Sequence, residues 1–269
     1  MKILNILWLS ILATTVQAQY DTCTNFGHFD LIIKVTPPAS QGGKILIDPD
    51  LNFPLNVETG STVVPADFRD FAGGPHKTDD PGWVINSGGF SAGENLWFRA
   101  LGTLRYWNPT IKQWSLPPAG ERVRYYGAIP GDLFLEGNED KLEEHKQGTI
   151  WAANSLTGPI DSPIDQADSN GGIHTHLDFC LEAADGDCSI PGVGHTGNPA
   201  VGGYLIELQL FSDANSAGKY TPSRPIQVML NNGLDASECG AAISALIAPA
   251  AVDSSAAQPG AGVLIMSGY

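Results

Sequence analysis

The stretch Gly171–Glu182 has the sequence GGIHTHLDFCLE, in which apolar and polar side chains alternate over most of the length. This alternation predicts a β-strand, because successive side chains of a strand point to opposite faces. The predicted core face is formed by Ile173, Thr175, Leu177, Phe179 and Leu181. The opposite face is formed by His174, His176, Asp178 and Cys180. The sequence therefore predicts a strand that covers the core and presents two histidines on its other side.

The H-x-H pair of this strand is a candidate metal site. His174 and His176 would have Cα atoms roughly 6–7 Å apart, since a strand rises about 3.3 Å per residue, and both rings can then reach one ion. Imidazole binds zinc, copper, nickel and iron, and an added carboxylate suits zinc or non-haem iron. We expect zinc, with copper or iron as alternatives, and Asp178 either as a ligand or as the group that orients a histidine. A polar, solvent-facing strand is the competing explanation.

A metal site of this kind needs at least one more ligand, because zinc takes three or four protein ligands. The first choice is His76, which lies in a loop held by two prolines and next to the aspartates of HKTDDPG. The further choices are His28, at the start of the first predicted strand, and His195, in the loop GVGHTG. His145 lies in a charged run and is predicted to be solvated.

Two other functions fit parts of the sequence. A cupin-like metalloenzyme would combine an H-x-H strand with a later glutamate, but Glu182 lies too far along the chain for that motif. A non-catalytic surface or matrix protein would bind glycans or proteins through a face of aromatic side chains. The competing explanation is that these side chains pack in the core. They are Trp97, Tyr106, Trp107, Trp114, Tyr125 and Tyr126. The sequence contains neither an H-E-x-x-H motif nor a P-loop. A binding protein is therefore favoured over an enzyme, and no catalytic residue is assigned.

The first 18 residues, MKILNILWLSILATTVQA, contain one lysine, an apolar run and small residues before Gln19. This pattern predicts a secretory signal peptide cleaved after Ala18, and the apolar run is too short for a transmembrane helix. The mature chain is therefore expected in the periplasm or outside the cell, without membrane insertion. The formal net charge of the full chain, −15, makes nucleic acid and anionic membrane surfaces poor partners.

An oxidising compartment favours pairing of the four cysteines into two disulfides. Three pairings are possible. We favour Cys180–Cys188, which closes a short acidic loop, and Cys23–Cys239, which ties the two ends of the domain together. A paired Cys180 would not be a thiolate ligand for a metal.

The remaining sequence, residues 19–269, predicts one domain. Its strand-like segments are short and separated by turn residues, with 31 glycines and 19 prolines in the whole chain, and helical periodicity is almost absent. These features predict an all-β, antiparallel β-sandwich, with a jelly roll as one form of it. One short helix is expected, over Asp132–Gln147.

The order of several short motifs resembles a group of exported bacterial proteins with surface-anchoring or sorting-signal domains (PEP-CTERM-like or choice-of-anchor-like). The motifs are GHFD at the first strand, HKTDDPGW in the loop, GGIHTHLDF in the histidine strand and VGGYLIELQLFSD after it. Several members of that group are associated with zinc uptake, so the resemblance implies extracellular metal binding. It extends to His28, Asp30, His76, Asp79, Asp80, His174 and His176. The C-terminal sorting helix of the group has no counterpart here, so we expect a freely soluble form.

Overall fold

The computed structural model describes Cys23 and residues 29–36, 43–68, 74–127, 147–189, 195–213 and 219–248. The strands within these residues are β1 (Asp30–Val35), β2 (Gly43–Ile47), β3 (Thr62–Asp67), β4 (Lys77–Thr78), β5 (Gly82–Ile85), β6 (Asn95–Asn108), β7 (Gln113–Ser115), β8 (Arg122–Tyr125), β9 (Thr149–Ala152), β10 (Ser155–Thr157), β11 (Asp161–Gln166), β12 (Ile173–Thr175), β13 (Phe179–Glu182), β14 (Gly202–Ser212), β15 (Tyr220–Thr221) and β16 (Ile226–Asn232). A 3-10 helix covers Pro49–Leu51, and an α-helix, α1, covers Ala236–Ile247. The described chain is therefore mainly β, as the sequence predicts.

The strands form three sheets. Sheet 1 has the order β12-β5-β1-β2-β15, sheet 2 the order β10-β9-β8-β13-β4, and sheet 3 the order β11-β6-β14-β16-β3, with β7 paired to β6. Within the described residues none of these sheets closes into a barrel. Most pairs are antiparallel, but β1–β5, β2–β15 and β3–β16 are parallel. The pairing is thus mixed rather than purely antiparallel. Parallel neighbours need long connections, which the alternation within one strand does not reveal.

The stretch Gly171–Glu182 is not one strand, so that prediction is wrong. β12 ends at Thr175 in sheet 1, whereas β13 begins at Phe179 in sheet 2. Residues 176–178 connect the two sheets, and within them Leu177 is buried while His176 and Asp178 are partly exposed. Cys180, which was predicted on the polar face, is buried in β13, and Glu182 is buried there too.

Aromatic side chains join the three sheets in the core. Trp83 of β5 donates a hydrogen bond from Nε1 to the Tyr125 hydroxyl of β8 at 2.7 Å, and Tyr125 stacks on Phe179 of β13. Trp151 of β9 donates to the Leu101 carbonyl in β6 at 2.9 Å. These contacts connect sheet 1 to sheet 2 and sheet 2 to sheet 3. They also fix β5 to the core through one of its two faces.

The helix α1 is not among the predicted elements. Asp235 accepts a hydrogen bond from the Glu238 amide at 2.8 Å and so caps the first turn. Buried residues at a spacing of three and four pack one helix face against sheet 3: Cys239, Ala242 and Leu246. The D-x-x-E start and this spacing are signals from which the helix could have been identified. The helix expected over Asp132–Gln147 lies outside the described residues except for its last residue.

Both favoured disulfides are confirmed. Cys23 pairs with Cys239 of α1, and Cys180 of β13 pairs with Cys188 in the loop that follows. Cys180 and Cys188 are packed against the buried ring of Tyr126. Two disulfides are typical of proteins in an oxidising compartment outside the cytosol.

Removal of the long-range disulfide has a measurable consequence. The Cys23→Ser/Cys239→Ser double variant is expected to lose about 2–4 kcal/mol of unfolding free energy, because the crosslink restricts the unfolded chain over a long loop. Its sequence separation is 216 residues, against 8 for Cys180–Cys188. Urea unfolding followed by tryptophan fluorescence measures the loss, and the Cys180→Ser/Cys188→Ser variant is the comparison with the smaller expected effect. An unchanged unfolding midpoint in the first variant would contradict the prediction.

Candidate metal site

Three side chains with metal-ligating atoms meet at sheet 1: Asp30, His174 and His176. We call them the Asp-His-His cluster. Their ligand atoms all lie within 4.8 Å of one another. Asp30 Oδ1 is 3.0 Å from His176 Nε2 and 3.5 Å from His174 Nε2, and the centroids of the two rings are 5.7 Å apart. Two imidazole nitrogens and one carboxylate oxygen form a donor set that suits zinc and iron(II).

The register of three neighbouring strands brings these residues together. β5 lies between β1 and β12, parallel to the first and antiparallel to the second. Asp30 of β1 is opposite Gly82, and Thr175 of β12 is opposite Trp83. His176 therefore follows β12 on the other side of Gly82. Residues that are distant in sequence are thus placed on either side of the same glycine.

Gly82 leaves the space in which Asp30 and His176 meet. A Cβ atom at this position would lie 2.1 Å from Cε1 and 2.4 Å from Nε2 of His176, and 2.4 Å from Oδ1 of Asp30. Carbon atoms in van der Waals contact are about 3.5–4.0 Å apart, so both side chains would have to move. Gly82 is therefore part of the cluster's architecture although it has no ligating group.

A backbone carbonyl orients the ring of His176. Its Nδ1 lies 3.1 Å from the Asp79 carbonyl oxygen and 3.8 Å from Asp80 Oδ1. Donation of the Nδ1–H to that carbonyl leaves the lone pair of Nε2 on the side of Asp30, which is the tautomer that a metal ion needs there. Asp80 also accepts a hydrogen bond from the Phe29 amide at 3.2 Å. Asp79, Asp80 and His176 form a second group of possible ligands, which shares His176 with the first.

The cluster opens to solvent on the side of His174. The side chain of His174 is 64% exposed, against 34% for Asp30 and 17% for His176.

Asp30 Oδ1 itself is buried and accepts no hydrogen bond of good geometry from the described residues. A bound cation would satisfy this oxygen, since buried polar atoms normally have a partner. Three protein ligands also leave a coordination position for water or for an exchanging ligand.

Of the other predicted histidines, His76 and His195 are described by the structure, and neither is part of the cluster. His28 lies outside the described residues. His76 has a φ of 61°, and its Nδ1 is 2.7 Å from Asn232 Oδ1. His195 is exposed and forms an isolated β-bridge with Asp187. Neither of the two ligand groups found among the described residues includes His76 or His195.

Asp178 is also absent from both ligand groups of the described chain. Burial raises the pKa of its carboxyl group, and the negative charge of Asp79 raises this pKa further. A carboxyl group that keeps its proton to higher pH is a weaker metal ligand. The structure brings Asp30 to the histidines instead. The H-x-H pattern does not indicate Asp30, and only the family resemblance implies it as a ligand.

Glu182, the carboxylate of the cupin-like alternative, is engaged elsewhere. It is buried in β13, where its side chain pairs with Arg124 Nε at 2.6 Å and also with Arg122. Arg122 additionally donates to the Gly186 carbonyl at 2.9 Å. These contacts join β13 to β8 and to the loop that follows β13.

The aromatic residues in the middle of the chain pack mainly within the protein. Tyr106, Trp107, Tyr125 and Tyr126 are buried. Trp97 stacks on Phe211, and Trp114 contacts Trp107 while its Nε1 donates to a carbonyl of α1 at 3.1 Å. Most of the rings proposed for a sugar- or protein-binding face are therefore core residues.

The segment Gly89–Gly93 has the pattern G-x-S-x-G, which in some hydrolases presents a nucleophilic serine between a strand and a helix. Here Ser91 is exposed in a turn before β6. Its hydroxyl accepts a hydrogen bond from Lys219 at 2.9 Å, and its amide donates to Glu94 at 3.0 Å. No histidine of the described residues hydrogen-bonds to Ser91, so the pattern does not form a catalytic triad there.

None of the helices in the described ranges is long and apolar enough to cross a membrane. Comparison of the chain with protein-family models, with curated proteins and with solved structures found no match. Its function is therefore inferred from the geometry and chemistry of the Asp-His-His cluster.

Proposed function

We propose that the protein is an exported transition-metal-binding protein that takes zinc at Asp30, His174 and His176. The observation that carries this proposal is the convergence of the three ligand atoms within 4.8 Å. The glycine at position 82 and the carbonyl that orients His176 support it, because both favour the geometry that a shared ion needs. Zinc is the first choice because it readily accepts mixed nitrogen and oxygen ligands.

The exposure of the cluster favours capture or exchange of the metal over a purely structural role. Structural zinc sites usually have four protein ligands and are closed to solvent. Here the group has three ligands, and the side chain of His174 is 64% exposed. A competing chelator or a partner protein could reach an ion from that side.

A second candidate is a non-haem iron(II) site, because two histidines and one carboxylate with open positions are typical of iron(II) oxygenases. A cupin-like form has less support, since Glu182 is paired with two arginines. Glycan or protein binding through an aromatic face has less support too, since most of the rings are buried. Elemental analysis of protein purified without a His-tag and without chelator distinguishes zinc, copper and iron.

Replacement of His174 and His176 by alanine is expected to abolish tight zinc binding while the fold persists, since both side chains are ligands and neither fills the core. Isothermal titration with zinc measures the affinity, and circular dichroism checks the fold. His76→Ala and His195→Ala are matched controls that each remove one imidazole outside the cluster. Unchanged zinc affinity in the double variant would overturn the proposal. Loss of zinc affinity in His76→Ala would contradict the proposed ligand set, because it would make His76 a ligand although the structure does not bring it to the cluster.

We also propose that the chain is secreted after cleavage behind Ala18 and folds as a β-sandwich. The two disulfides support export, since such crosslinks persist outside the cytosol. One core cluster takes buried side chains from all three sheets, which supports sheets packed face to face. Mass spectrometry of the protein recovered after export tests the cleavage position.

A further inference from the structure

A cavity of about 640 Å³ lies beside β2 and the beginning of β3, between an edge of sheet 1 and an edge of sheet 3. Its floor is apolar: the side chains of Ile47 and Phe53 are partly exposed there, and those of Ile45 and Ile226 are buried. Leu55 adds a side chain that is 46% exposed. Pockets for small organic molecules typically measure roughly 300–1,000 Å³ and are mostly apolar with a few polar groups. The size and lining of this cavity therefore suit a small molecule with an apolar body.

Two cationic side chains line the same cavity. Lys44 and Arg224 are exposed, and neither forms an ion pair with any of the described residues. Asp48 is the acidic residue of the lining, and it is paired with Lys34 at 2.6 Å. Cations without an ion-pair partner among the described residues, placed beside an apolar floor, are notable in a chain with a formal net charge of −15. The cavity therefore offers positive charge to a ligand in a protein that is otherwise acidic.

The strand edge in this cavity is too short to favour an extended peptide. β15 pairs with β2 only at Gly43 and Lys44. β2 ends at Ile47, and the 3-10 helix begins at Pro49. The edge that is left covers only Ile45–Ile47, whereas peptides that add to a sheet gain affinity from a run of main-chain hydrogen bonds. A compact ligand fits this edge better than a strand.

We propose that this cavity binds a small amphipathic carboxylate, with its apolar body on the isoleucine and phenylalanine floor and its carboxylate paired with Lys44 and Arg224. Lysine and arginine form charge-assisted hydrogen bonds with carboxylates, and these bonds are stronger than neutral ones. This site shares no residue with the Asp-His-His cluster. It is independent of whether the cluster takes a metal.

Isothermal titration with octanoate tests the proposal. The full chain is expected to show saturable binding, octanol is expected to bind about tenfold or more weakly, and octylamine is expected not to bind. The Lys44→Gln/Arg224→Gln variant should weaken octanoate binding by about tenfold or more. Absence of saturable octanoate binding would overturn the proposal, and so would equal affinity for octanol. Binding of an acidic peptide without binding of octanoate would also overturn it.

A matched control and a second variant keep the test independent of folding. Arg105→Gln/Lys112→Gln removes the same charge away from the cavity lining and should leave octanoate binding unchanged. Leu55→Glu places a negative charge at an exposed position of the lining and should abolish octanoate binding without unfolding the protein. Equal weakening in the control pair would show that only net charge matters and would overturn the proposed site.

Discussion

Replacement of Glu182 by glutamine is expected to lower the free energy of unfolding by about 3–5 kcal/mol, the cost of breaking a buried ion pair from one side. The carboxylate of Glu182 is fully buried and pairs with two guanidinium groups, those of Arg122 and Arg124. Arg124 is itself 6% exposed and also donates to the Gln147 carbonyl. Without the carboxylate, the largely buried guanidinium of Arg124 would lose its ion-pair partner Glu182. Urea unfolding at constant pH measures the loss.

An exposed ion pair of the same chemistry provides the control for Glu182→Gln. Arg99 Nε pairs with Asp161 at 2.7 Å, but both side chains are 40% exposed or more. Surface pairs of this kind contribute about 0–1 kcal/mol, so Asp161→Asn should change stability little. Similar losses of unfolding free energy in both variants would show that the contribution of Glu182 to stability does not depend on its burial. The zinc affinity should be unchanged in both, because neither residue belongs to the cluster.

The histidine pair could be predicted from the sequence because the information is local. His174 and His176 are two residues apart, and their placement near one another requires only an extended backbone. The alternation of buried and exposed side chains ends at β13 in sheet 2, where all four residues are buried. Cys180 and Glu182 are buried in β13, where Cys180 forms the disulfide with Cys188 and Glu182 pairs with two arginines of β8.

The third ligand could not be predicted in the same way. Asp30 reaches the histidines through the parallel pairing of β1 with β5 and the antiparallel pairing of β12 with β5. No pattern within one strand encodes that register, because it depends on how distant segments pack. His76 was chosen instead because it lies close to acidic residues in sequence, and the structure holds its side chain against Asn232. The carbonyl of Asp79 nevertheless ties the same loop to the cluster through His176.

Gly82→Ala is expected to weaken zinc binding by about 100-fold, which is the upper end of the effects seen when the groups that position metal ligands are changed. The added methyl group would occupy the space in which His176 Nε2 and Asp30 Oδ1 meet, at 2.4 Å from each. The atoms that must move belong to side chains rather than to the backbone, and the cluster is open to solvent on one side. The ligands would therefore separate while the strand pairing of β5 persists.

A matched glycine variant separates this effect from a general loss of stability. Gly240 lies in α1, and a Cβ atom there would contact nothing within 4 Å. Gly240→Ala should keep zinc affinity at the wild-type value and raise stability by about 0.5–1 kcal/mol, because alanine favours a helix interior over glycine. Zinc affinity of Gly82→Ala within threefold of wild type would show that the ion does not sit between Asp30 and His176. Lost affinity in a folded Gly82→Ala protein would instead place the ion at this glycine, since the substitution adds one methyl group and removes no ligand.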